Sequence, residues 1–130
     1  MTVIPVLSAS EAAAWDTAAR RKYLIPSRVL MESAGRAAAI EVTRAFPDVV
    51  RKGALVVAGS GNNGGDGWVV ARALHAAGVP AWVYGLDPKT DDAIDNRALA
   101  RLSGVSIARL RLLTISTENS TDTAISIRHQ

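Results

Sequence analysis

The chain has 130 residues, enough for one domain around one core and too short for two. Hydrophobic residues make up 48% and charged residues 21%, which excludes a chain disordered throughout, and the absence of cysteine excludes a disulfide framework, a thiolate metal site and a thiol nucleophile. The formal charge of +3 comes from fifteen basic residues scattered among twelve acids, and the one basic run, Arg20-Arg21-Lys22, has no interleaved aromatics. It reads as a solvated helix end, so nucleic acid is not an expected partner. Apolar stretches are broken well before the roughly 20 residues of a membrane span, and no basic segment leads an apolar one at the N-terminus. A soluble, cytoplasmic protein without a membrane partner is therefore expected.

Aromatics are only 5%, so the core must be built from Val, Leu, Ile and Ala. Ser8, Ala9, Ser10 and Glu11 form a capping box that opens a helix running to about Lys22. Pro26 breaks the pattern by removing a donor and pushing Ile25 out of helical space, and Ser27 is placed to cap a second helix. From Ser27 to Phe46, the positions Leu30, Met31, Ala34, Ala37, Ala38, Ala39 and Val42 recur at helical spacing. The run from Ala54 to Ala58, bounded by Gly53 and Gly59, is continuous and apolar, as expected of a strand buried on both faces of a parallel sheet. Trp68, Val69, Ala71, Leu74 and Ala77 continue as a helix that stops at Gly78, and Ala81 to Tyr84 form a second strand. Such a βαβ unit puts the intervening glycine loop at the carboxyl edge of the first strand, where ligands bind in open α/β sheets. Thr90, Asp91 and Asp92 are N-cap candidates for a further helix ending at Gly104, and Val105 to Leu113 reads as an edge strand with Val105, Ile107 and Leu112 as buried candidates. Thr114 to Gln130 has no sustained period and is expected to be a poorly ordered tail.

The segment Gly59-Ser60-Gly61-Asn62-Asn63-Gly64-Gly65-Asp66-Gly67 carries the chemistry. Glycines let backbone amides approach a ligand closely, and the helix beyond them adds unpaired N–H groups and a positive dipole end. Gly59, Gly61 and Gly64 satisfy the dinucleotide spacing, with Asp87 after the second strand where a ribose-binding acid would lie, whereas no Lys-Ser or Lys-Thr pair supports a P-loop. The paired asparagines offer carbonyl oxygens and amide donors suited to a hard monovalent cation or to ligand hydroxyls. Asp66 has two readings, a helix N-cap complementing the dipole or a direct ligand contact. His75 and His129 lack a partner at metal spacing and read as structural or solvent-facing, Trp15, Trp68 and Trp82 as core or interface anchors, and Met31 as packing.

The stretch Ile25-Pro26-Ser27-Arg28-Val29-Leu30-Met31-Glu32-Ser33-Ala34-Gly35-Arg36-Ala37, followed by Gly61-Asn62-Asn63-Gly64-Gly65-Asp66-Gly67, resembles the YjeF N-terminal domain of NAD(P)H-hydrate epimerases. The resemblance implies a Rossmann-like three-layer α/β sandwich with a parallel sheet. It also implies an isomerase that interconverts the R and S forms of hydrated NADH or NADPH so that an S-specific dehydratase can restore the cofactor. Asn62, Asn63, Gly64, Gly65 and Asp66 would then contact the hydrated nucleotide, and Asn63 would help bind a potassium ion. A homodimer, and a dehydratase domain or partner, are further expectations. The family's later Asp-Ala-x-Phe-Gly-Thr-Gly-like and Asp-x-Pro-Ser-Gly-like segments do not occur in these residues. The expectation is a domain over residues 1–113 that is truncated on its C-terminal side, with its catalytic acid unassigned and little or no epimerase turnover. Two other readings stand beside this one: a non-catalytic nucleotide- or protein-binding module, and the N-terminal piece of a nicotinamide-dependent dehydrogenase in which Asp87 holds the ribose.

Overall fold

The computed structural model describes residues 6–108. The elements run α1 (Ala9–Arg21), α2 (Ser27–Ala45), α3 (Pro47–Val50), β1 (Ala54–Ala58), α4 (Asn62–Ala76), β2 (Ala81–Gly85), α5 (Asp91–Leu102) and β3 (Ser106–Ala108). The expected capping box is present: the Ser8 hydroxyl accepts from the Glu11 amide, and a Glu11 carboxylate oxygen accepts from the Ser8 amide at 2.7 Å. Hydrogen bonds from the Ser8 hydroxyl and amide hold the Glu11 carboxyl below its ordinary pKa. Pro26, not Ser27, occupies the N-cap position of α2, because the fixed φ of proline already sets the entry and Ser27 falls on the first helical residue. Helices α4 and α5 end at Gly78 and Gly104, whose φ values of 80° and 85° satisfy the left-handed turn after each cap.

The three strands form one parallel sheet in the order β1-β2-β3, the Rossmann-like arrangement expected of consecutive βαβ units. In register, Val56 lies beside Val83 and Val83 beside Ile107, while Leu55 lies beside Trp82 and Val57 beside Tyr84. The first set faces the helices. Ala58, Trp68, Ala71, Val83, Ala100 and Val105 make one core cluster, bringing α4 and α5 onto the same face of the sheet. Ala39, Val50, Leu74, Val79 and Ala81 make a second, in which α2 and α3 flank α4. Helix α4 is thus wrapped by α2, α5 and two strands, and Trp68 and Val69 on it are completely buried.

The opposite face has no helix on it among the described residues, and Leu55 and Val57 are 54% and 72% exposed. The described part is therefore two layers of the expected three, and β1, read from its apolar run as buried on both faces, is buried on one. Of the three tryptophans, Trp68 is in the core, Trp82 is half-buried on the open face and Trp15 is exposed on α1, which buries none of its residues. The rest of the edge strand expected beyond Ala108 and the tail expected over residues 114–130 lie outside the described residues.

This one-sided burial sets an expected contrast. Val83→Ala should destabilise the chain by about 2 kcal/mol through the void it leaves, and Val57→Ala by less than about 0.5 kcal/mol. Urea unfolding followed by circular dichroism measures both, and equal losses would mean that the Leu55–Val57 face is covered.

Candidate functional site

The glycine segment is not one long loop. Only Gly59, Ser60 and Gly61 form the turn, and α4 begins at Asn62, so Asn62 and Asn63 are its first two residues and Gly64 to Gly67 lie within it. The turn is tied to the loop after β2, where the Ala58 carbonyl accepts from the Leu86 amide at 2.9 Å and the Ser60 carbonyl from the Lys89 amide at 2.8 Å. The site therefore sits at the carboxyl edge of β1 and β2, where a parallel sheet presents its ligands.

The buried glycines are there for contact. A Cβ on Gly64 would lie 1.9 Å from the Gly59 carbonyl oxygen, one on Gly65 would lie 2.5 Å from both Sδ and Cε of Met31, and one on Gly35 of α2 would lie 2.5 Å from Cβ of Val69. Gly59 and Gly61, by contrast, face open space. The asparagines are exposed, and neither side chain is hydrogen-bonded within the described residues. Gly61 at the N-cap has no side chain to satisfy the first-turn amides, so the head of α4 presents unpaired N–H groups and a positive dipole end beside two free carboxamides.

Asp66 is the fifth residue of α4, which removes the N-cap reading: a side chain that deep in the helix is out of reach of the first-turn amides. It is half-buried, and no hydrogen bond or ion pair holds its carboxyl among the described residues. Burial pushes its pKa above the ordinary 3.8, and the nearby Asp16 charge on α1 pushes it further. Asp16 has no sequence signal tying it to this segment; only the packing of α1 brings the two charges together.

Asp87 does follow β2, but Arg97 of α5 pairs with it at 2.7 Å, and the same guanidinium lies 6.0 Å from the centroid of the buried Trp68 ring. Thr90 occupies the N-cap position of α5, yet its hydroxyl is buried and unpaired among the described residues. His75 is at the other end of α4, lining a cleft of about 200 Å³ with Glu32, Arg36, Arg72 and Ser103. Among the described residues no cluster of His, Cys, Asp or Glu could hold a metal, and no helix is long and apolar enough to cross a membrane. His129 lies outside the described residues.

Residues 27–125 match the family described as YjeF-related protein N-terminus. The chain belongs to this family. The YjeF-type relatives include the bifunctional NAD(P)H-hydrate repair enzyme Nnr of Pyrobaculum aerophilum, 48% identical over 90 residues that make up 68% of this chain and 18% of that one. An NAD(P)H-hydrate epimerase of Limosilactobacillus reuteri is 44% identical over 85 residues, 65% of this chain and 40% of that one. The fold matches the crystal structure of yeast ynu0 with a TM-score of 0.72 and 30% identity, covering 80% of this chain and 46% of the yeast chain. The chain thus spans less than half the length of each of these relatives. Of the sequence expectations, the family and its Rossmann-like strand order stand, and the dehydrogenase and bare binding-module readings are not favoured by these matches.

The raised pKa of Asp66 has a stability consequence with a definite sign. A carboxyl with a higher pKa in the folded than in the unfolded chain contributes stability below its unfolded pKa, and that contribution is lost as pH rises through the folded value. Asp66→Asn should therefore raise Tm near neutral pH, and the gain should vanish at about pH 3, where the wild-type carboxyl is protonated in both states. Calorimetric scans across that range check it; a gain that persists in acid would assign the effect to packing.

Proposed function

We propose that this chain is the nucleotide-binding part of an NAD(P)H-hydrate epimerase, holding hydrated NADH or NADPH at the head of α4. The observation that carries this reading is the exposed Asn62-Asn63 pair with open first-turn amides at the carboxyl edge of a parallel strand, in a chain of this family. The amides and dipole suit an anionic group of the nucleotide, and the carboxamides suit hydroxyls and the nicotinamide amide. Gly64 and Gly65 keep the backbone low enough for that approach. Relatives named as epimerases and as bifunctional repair enzymes support the same substrate class, and the bifunctional ones support a second repair activity, such as a dehydratase, alongside it.

Epimerisation at a ring carbon bearing hydroxyl and nitrogen needs a group that moves a proton and a site that tolerates charge. Among the described residues Asp66 has the right character: a half-buried carboxyl without a partner there, whose raised pKa lets it hold a proton longer than an exposed one. We assign it the contact to the reacting end of the hydrate. Potassium fits Asn63 as a single oxygen ligand, since its carboxamide is exposed and unpaired among the described residues, and the ion would supply countercharge to the nucleotide phosphates.

Two measurements test this. Calorimetry should show saturable binding of the hydrate to the 130-residue chain, and Gly64→Val, which drives a side chain into the Gly59 carbonyl, should abolish it while His75→Ala leaves it unchanged. Proton NMR of R and S hydrate mixtures should show interconversion slower than that of a relative carrying the family's later segments. Hydrate that fails to bind, or equal losses from the two substitutions, would sink the assignment. For the cation, Asn63→Ala should remove the rise in Tm that potassium gives over a bulky organic cation; a wild-type chain indifferent to potassium would remove the ion from the proposal.

A further inference from the structure

We propose that Asn96 and Met31 are positioning residues that set the backbone of the Asn62–Asp66 segment, an inference that rests on the ligand-binding role proposed for that segment. Gly65 packs directly against the Met31 thioether, where a Cβ would lie 2.5 Å from Sδ and Cε, so the place of that side chain limits how α4 can sit at Gly65. Methionine is an adaptable residue with three rotatable bonds, a poor choice for a fixed surface unless something holds it. Here Asn96 of α5 does: its Nδ2 donates to Met31 Sδ at 3.2 Å.

The orientation of that carboxamide is determined by its other partners. Nδ2 also donates to the Asp92 carbonyl at 2.9 Å, while Oδ1 accepts from Nη2 of Arg72 at 3.3 Å. A flipped amide would put a donor against the guanidinium and an acceptor against a carbonyl, so the donor must face sulfur. Arg72 is in turn held by an ion pair with Glu32 on α2. Asn96 is 4% exposed and is the buried polar residue among the described ones. Burying a carboxamide brings little net stability over an apolar side chain of similar shape. What it brings here is a defined place for one thioether under the glycine pair.

The test compares three variants of the 130-residue chain. Asn96→Leu removes both donors, Met31→Leu removes the sulfur acceptor while keeping the volume, and Val105→Ala weakens the core cluster under β2 without touching this contact. Hydrogen exchange should quicken at the amides of Gly65, Asp66 and Gly67 by about tenfold in the first two variants beyond the change in Val105→Ala, the equivalent of one hydrogen bond. Hydrate should bind about tenfold more weakly in those two, and as in wild type in Val105→Ala, all well below each Tm. If Asn96→Leu does not fold, Met31→Leu decides. Exchange at the three amides no faster than in Val105→Ala overturns the inference. Failure of the wild-type chain to bind hydrate overturns the function instead, and the exchange comparison still decides the positioning.

Discussion

Everything at the candidate site depends on how closely the head of α4 is seated on the end of β1. Any residue larger than glycine at position 64 would place its Cβ 1.9 Å from the Gly59 carbonyl oxygen, far inside an ordinary contact distance between such atoms. That approach pulls the helix N-terminus onto the strand edge and turns Asn62 and Asn63 outward, without hydrogen-bond partners among the described residues. The same economy of volume recurs around the helix: Gly65 admits Met31, and Gly35 admits Val69. The glycine richness of this segment is largely a packing requirement, and the proposed binding surface is what such packing leaves exposed.

Two carboxyl groups near α4 show how the environment divides their chemistry. Burial pushes Glu32 up, but the hydrogen bonds and charges of Arg36 and Arg72 outweigh it and hold the group below its ordinary pKa. Asp66 has burial without a cation among the described residues, and a second acid besides, so it moves the other way. Glu32 is therefore an ion-paired anion that joins α2 to α4, whereas the Asp66 carboxyl has no ion pair among the described residues and a raised pKa. Structural and chemical roles are separated along one helix, with the ion-paired network under its middle and the titratable group near its head.

The sheet has a similar asymmetry. α4 and α5 bury Val56, Val83 and Ala58 on one side, leaving Leu55 and Val57 uncovered among the described residues. This matters for the site because only the covered face needs to be firm: α4 hangs from it, and the end of β1 and the turn after it are each tied to the loop after β2 by one backbone hydrogen bond, at Ala58 and Ser60. Asp87 belongs to that same loop, but its pairing with Arg97 makes it part of the clamp over Trp68.

The local and periodic features were legible in the linear order of residues: the Ser8–Glu11 capping box, the break at Pro26, the glycine stops at 78 and 104, both strands of the βαβ unit and the motif that locates the site. These arise from interactions between residues a few positions apart, which a linear reading can see. The same reading marked Asn62 to Asp66 as the segment of interest. Only the packed fold reveals that α4 starts at Asn62, so that Asp66 is no cap and Gly64 is a contact point, because the Gly59 carbonyl must be in place before the glycine's purpose is visible. Packing likewise brings Asp16 to Asp66, sets Met31 under Gly65 and gives Asp87 to Arg97. Each of those pairs joins separate elements, and no spacing within the chain encodes a meeting that exists only once the helices are packed on the sheet.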